Sequence, residues 1–136
     1  MASIHLEMAL RADPAKVWDA VRDVGAIHTR LAPDFVTNVT MEGDTRIVTF
    51  ANGMTAKELI VDMDHQARRL VWAVVEGRAK HHNGSLQVFP EGYGCRVVWI
   101  ADVLPHELAT PIRTMMQAGM DAMKKTLEAD ATAPAE

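Results

Sequence analysis

The chain has 136 residues, of which 49% are hydrophobic and 24% charged, and its formal net charge is −4. That composition fits a single globular domain large enough to bury a core. With no basic or aromatic-basic stretch it excludes nucleic acid as an expected partner, and no apolar run reaches the roughly 18 residues that span a bilayer.

Ile4, Leu6, Met8 and Leu10 alternate with more polar neighbours, the period-two pattern of a half-buried strand. Asp13 is a good helix N-cap and Pro14 suits the first helical position, so a short helix is expected to start there, with Val17, Trp18 and Val21 on its apolar face. Gly25 ends it, and a second short helix fits Ala26 to Leu31, before Pro33.

Six further strand-like runs follow, separated by short turns: Val36 to Met41, Arg46 to Phe50, Thr55 to Met63, Leu70 to Val75, His81 to Phe89 and Cys95 to Leu104. Asn52-Gly53 reads as a two-residue hairpin loop. Connections this short predict an antiparallel meander. A long helix is expected from about Pro105 to Leu127. Leu108, Ile112, Met115, Met116, Gly119, Met120, Met123 and Leu127 fall within about 140° of its circumference. The small and polar residues 129–136 read as a flexible tail behind a single domain of residues 1–128.

The N-terminus shows no charged segment followed by an apolar stretch, so no signal peptide is expected, and the single cysteine, Cys95, allows no internal disulfide. Together these point to the cytoplasm. Cys95 reads as a structural strand residue.

Register can be estimated from turn length. If Phe89 pairs with Cys95 across a loop of residues 90–94, Leu86 faces Val98, Gly84 faces Ile100 and His82 faces Asp102. If Met63 pairs with Arg69, Ile60 lies beside Trp72 and Glu58 beside Val74. Both hairpins then turn one apolar row inward, with Glu58, His82 and Asp102 as polar intruders. The Val36–Met41 strand does not resolve: its apolar residues and its register disagree, as a bulge would make them.

An Asp beside a His fixes the imidazole tautomer and raises its basicity, as general-base chemistry needs, and a carboxyl in an apolar cavity can hold or donate a proton. His82, Asp102 and Glu58 are therefore the candidate catalytic residues. The same three also suit ligand or water binding, or a structural network. His81 and His82 point to opposite faces of their strand and cannot chelate one ion. With no Cys/His cluster at zinc spacing, no phosphate loop and no nucleophile motif, neither metal nor cofactor is expected. By parity Trp72 floors the inner face, Trp18 packs the first helix under the sheet, and Trp99 points outward. Gly119 costs about 1 kcal/mol of helix propensity against alanine and signals a close approach or room for a ligand.

The order of strand, two short helices, six-stranded meander and long helix resembles the START/Bet v 1-like (SRPBCC) superfamily. Within it the chain is most similar to the polyketide cyclase/dehydrase-type branch. The local matches are Ala12-Asp13-Pro14-Ala15-Lys16-Val17-Trp18 with Asp23, the strand Glu58-Leu59-Ile60, and the polar turn Asp64 to Arg69. The resemblance covers Ser3 to Leu127 and implies an α+β helix-grip fold: a seven-stranded curved antiparallel sheet around the last helix, enclosing a cavity. The expected ligand-binding set is Glu58, Ile60, Trp72, Val74, His82, Leu86, Val98, Ile100, Ile112, Met116, Gly119, Met120 and Met123, Glu58 partly because matched family positions line the pocket. Two functions remain open. One is a carrier or sensor of a hydrophobic small molecule, and the other is a cyclase or dehydrase acting on an aromatic or polyketide-like substrate by acid/base chemistry.

Overall fold

The computed structural model describes residues 1–131. The strands are β1 (Ala2–Leu10), β2 (Val36–Glu42), β3 (Thr45–Phe50), β4 (Thr55–Asp64), β5 (Arg69–Glu76), β6 (His81–Glu91) and β7 (Gly94–Leu104). They form one antiparallel seven-stranded sheet in the order β1-β7-β6-β5-β4-β3-β2, so the meander β2 to β7 receives β1 on its last strand. Helix α1 (Pro14–Val21) follows β1, and α2 (Ala109–Ala131) closes the chain after a 3₁₀ turn at His106–Leu108. Of the expected tail, residues 129–131 continue α2, and 132–136 lie outside the described residues.

Helix α1 starts where its cap dictates. The Asp13 carboxylate accepts a hydrogen bond from the Ala15 N–H at 3.0 Å, and Pro14 occupies the first turn, where its missing N–H has no partner to lose. The next short helix, Ile27–Leu31, is a π turn: the Ala32 N–H reaches the Ile27 carbonyl at 2.8 Å, five residues back.

Turn chemistry sets each hairpin's register. Between β6 and β7 the loop is the two residues Gly92-Tyr93, with Gly92 at φ +57°. Pairing runs outward from Glu91 opposite Gly94, so Phe89 faces Arg96, Leu86 faces Trp99 and His82 faces Val103. This corrects the expected five-residue loop and shifts β7 by one residue. Pro90 had suggested that the strand ended there. However, the Val88 N–H donates to the Arg68 carbonyl on the β5 side, so the Pro90 nitrogen also points that way, past the last β5 partner at Arg69. Its missing donor therefore costs no ladder bond.

The β3–β4 loop is also not the expected two-residue turn. The Phe50 N–H bonds the Met54 carbonyl at 2.8 Å around Ala51-Asn52-Gly53, with Gly53 left-handed at φ +88°. That is the three-residue hairpin with glycine at its last position, and it places Arg46 opposite Glu58. In β4–β5, Ile60 lies beside Trp72 and Glu58 beside Val74, as the register estimate has it. The turn itself is one residue tighter, from Asp64 to Arg69, and a bulge at Val61 restores the difference. A bulge at Thr37 between Val36 and Asn38 accounts for the conflict in β2.

The concave face of the sheet carries the core. Leu10, Val88, Cys95 and Val97 pack with α1 and the C-terminal half of α2 in one cluster. Ile4, Ala101, Val103 and Met116 form a second beneath the start of α2. Gly94 sits where β7 passes β1 so closely that a Cβ would run into the Leu10 carbonyl oxygen. Gly94→Ala is expected to destabilise the protein by about 2–3 kcal/mol, an overpacking cost paid against rigid backbone, read as a lower urea midpoint at unchanged slope.

Candidate functional site

Between the sheet and α2 lies a cavity of about 70 Å³. Its sheet wall is built from alternate residues of β3 to β7: Arg46 and Val48, Glu58, Leu70 and Trp72, His82 and Leu86, and Trp99. The helix wall is Met115, Gly119 and Met123, and Phe35 and Phe50 flank it from the β2 side. The lining is apolar except for Arg46, Glu58 and His82.

Arg46 and Glu58 are cross-strand partners that form a buried ion pair, with Arg46 Nε donating to Glu58 Oε1 at 2.8 Å. The guanidinium also donates from Nη1 to the Val24 carbonyl at 3.2 Å and lies 5.5 Å from the centroid of the Trp72 ring, in cation–π range. Burial pushes the Glu58 carboxyl above its ordinary value, with the Arg46 charge and hydrogen bond pulling the other way. His82 is held below its ordinary value by burial, assisted by His81.

Trp72 covers its strand partner Gly84, where a Cβ would come within 2.5 Å of the indole. Trp99 packs against it edge-on, centroids 6.2 Å apart at 60°. The Trp99 N–H is buried without a hydrogen-bond partner among the described residues.

Six of the residues expected to bind ligand, namely Glu58, Trp72, His82, Leu86, Gly119 and Met123, share this lining. The others do not reach it. Ile60 and Val74 point inward but pack against the main core, and Met120 is buried within it. Met116 and Ile112 belong to the second cluster. Val98, Ile100 and Asp102 fall on the convex face, because the β7 slip exchanges their parity with that of Val97, Trp99, Ala101 and Val103. The His82–Asp102 dyad is therefore absent: Asp102 stands opposite Asn83, and His82 opposite Val103. The expectation that Trp99 faces outward is corrected by the same slip. His82 and Glu58 stand on β6 and β4, one strand apart across β5, about 10 Å between backbones.

Sequence reasoning missed Arg46 and Trp99, and it also left Phe35, Val48, Phe50, Leu70 and Met115 out of the expected lining. A signal for Arg46 existed: with a three-residue loop at Ala51–Gly53, the opposite charges of Arg46 and Glu58 fall directly across from each other.

A curved antiparallel sheet gripping one long helix, with an apolar pocket between them, defines a START/Bet v 1-like helix-grip protein. The chain belongs to the polyketide cyclase / dehydrase and lipid transport family, whose sequence model matches residues 1–128. A Thermobifida fusca protein solved by solution NMR is 29% identical, with 91% of each chain covered and a TM-score of 0.76. The protein XoxI from Bacillus cereus is 15% identical over 93% of this chain and 96% of its own, with a TM-score of 0.83. The di-domain ARO/CYC BexL from the BE-7585A biosynthetic pathway is 18% identical, with a TM-score of 0.80 over 98% of this chain and 48% of its own, so the chain spans about half of BexL. No curated protein matches the sequence. Among the described residues no helix is long and apolar enough to cross a membrane, and no group of three or more His, Cys, Asp or Glu is placed to hold a metal ion.

Removing one member of the ion pair strands the other charge in an apolar box. Arg46→Met or Glu58→Leu alone is expected to cost about 3–5 kcal/mol, whereas the double substitution is expected to be near neutral, since apolar replacements of a buried pair keep the packing. Denaturant titration of the three variants checks this, and additive single losses in the double variant would contradict it.

His82 gives a pH signature. Its folded-state pKa is lowered, so the unfolded chain binds the proton first on acidification, and stability falls as pH drops below about 6.5. Glu58 acts in the opposite sense: its folded-state pKa is raised, so its contribution falls as pH rises above about 4.5. His82→Asn should flatten the acid-side loss between pH 7 and pH 5, while Asp102→Asn should leave the His82 titration seen by NMR unchanged. An unaltered pH slope in His82→Asn would show that the imidazole is solvated.

Proposed function

We propose that the protein binds a small hydrophobic molecule in the cavity between the sheet and α2, as a carrier or sensor. The observation that carries this reading is an apolar, aromatic-walled cavity that retains a buried ion pair and a neutral histidine on its wall. A domain built for stability alone fills such a space with side chains, and a ligand site keeps it open with a few orienting polar groups. The family's description, which couples polyketide cyclisation with lipid transport, agrees with this chemistry.

At about 70 Å³ the space is roughly half of the ~150 Å³ that holds a benzene in an engineered cavity. A larger ligand therefore displaces side chains, and the flexible Met115 and Met123 are the cheapest to move.

A second reading is a cyclase or dehydrase acting on an aromatic or polyketide-like substrate. The specific observation in its favour is His82, which burial keeps as a neutral imidazole able to take a proton. Glu58 would then hold or return a proton from the other side of β5.

Native mass spectrometry of freshly purified protein separates the two: an apolar ligand carried intact supports binding, and a ring-closed or dehydrated product formed from an added substrate supports catalysis. An environment-sensitive apolar dye is expected to bind with a Kd on the order of micromolar, worth about 8 kcal/mol. At Gly119 a Cβ would stand 2.9 Å from the Trp99 ring and 3.0 Å from that of Phe35. Gly119→Leu should therefore push both rings into the space and weaken dye binding on the order of tenfold, about 1.4 kcal/mol, with the circular dichroism spectrum retained. Unchanged dye binding in that variant would place the ligand elsewhere.

A further inference from the structure

We infer that the Arg46–Glu58 pair recognises a neutral ligand group that both donates and accepts a hydrogen bond, a phenolic or enolic hydroxyl above all. This rests on the reading of the cavity as a ligand site and assigns the class of ligand it takes.

The two side chains oppose each other on β3 and β4, yet they meet at one point. Nε to Oε1 is 2.8 Å, and Nη1 is engaged by the Val24 carbonyl at 3.2 Å. A fork-to-fork pair would also have joined Nη2 to Oε2. Here both atoms lack a hydrogen-bond partner among the described residues, on side chains only 5% and 10% exposed. Neither is among the fully enclosed orphan atoms, so each keeps some accessible surface, and both side chains line the cavity. The Trp72 ring against the guanidinium and the Val24 carbonyl on Nη1 hold the fork in place.

The cavity thus offers one donor and one acceptor, both charge-assisted, on a pair that is neutral overall. A hydroxyl satisfies both: its oxygen accepts from Nη2 and its hydrogen goes to Oε2. An ether uses only the donor, a hydrocarbon neither, and a carboxylate is repelled by Oε2.

The test is an NMR titration of the wild-type protein with phenol, anisole, toluene and benzoate, reading the indole N–H resonances of Trp72 and Trp99. Phenol should bind tighter than toluene or anisole by on the order of tenfold, because two charge-assisted bonds outweigh the dehydration of one hydroxyl, and benzoate should bind worst. A plain apolar cavity gives the reverse order, since the hydroxyl then loses water without compensation. In the double variant Arg46→Met/Glu58→Leu, toluene should overtake phenol. Toluene matching or beating phenol in the wild type, while shifting the same indoles, overturns the assignment and leaves the cavity standing. A phenol preference that survives in the double variant also overturns it, and points to His82. If none of the four shifts either indole, the cavity reading and this one fall together. Should the double variant not fold, the wild-type ranking decides alone.

Discussion

The separation of α2 from the sheet is fixed at Gly119, and the interior depends on it. The Trp99 and Phe35 rings rise to the helix at this position and leave no room for a Cβ. The helix rests on those rings there, while its earlier part sinks into the second cluster through Met116 and its later part into the main core through Met123 and Leu127. A helix propped on two aromatic rings between two packed ends encloses a gap beside the props. The methionine face serves both tasks because thioether side chains fill irregular space without dictating its shape.

Into that gap the sheet turns a charged pair. Burying two charges is expensive, and the return is good only where geometry and extra hydrogen bonds compensate. Arg46 has a carboxylate, a backbone carbonyl and an indole face around it. Glu58 has one bond from Arg46, and burial pushes its carboxyl upward. The acid is thus the less satisfied partner, and it faces the same space as a histidine that burial keeps neutral. Acid and imidazole stand one strand apart, on β4 and β6, rather than side by side.

How much of this was legible depends on the kind of signal. Element order, the capped helix at Asp13 and the apolar arc of α2 follow from local chemistry, and all three appear in the structure. Register is less local. The β6–β7 slip came from Pro90: a proline reads as a strand end, and only the early end of β5 makes it harmless inside one. That single residue moved Asp102 to the convex face and Trp99 to the cavity. In β4–β5 the turn was also off by one, but the Val61 bulge cancelled it, so the positions of Glu58, Ile60 and Trp72 were reached through two compensating departures. Bulges leave no mark in a hydrophobic pattern that a shifted turn does not also leave. Arg46 went unseen because a charged residue on a half-exposed strand reads as solvent-facing until its partner across the hairpin is known.

The bulge at Thr37 has a consequence for the sheet's margins. An open strand edge is a template on which other chains can pair, and β2 forms one edge of this sheet. The bulge breaks its regular spacing, and the exposed Asn38, Thr40 and Glu42 put polar side chains along the remainder, where Met41 is also exposed. At the other margin, α2 takes hold of β1 directly: Lys124 donates to the Ala9 carbonyl at 3.0 Å, and Glu128 accepts from the Arg11 N–H at 2.9 Å. One edge is kinked and the other is partly clasped by the helix. Both are poor nuclei for cross-β growth, which lets a chain half of whose residues are apolar keep an incompletely filled interior without inviting aggregation.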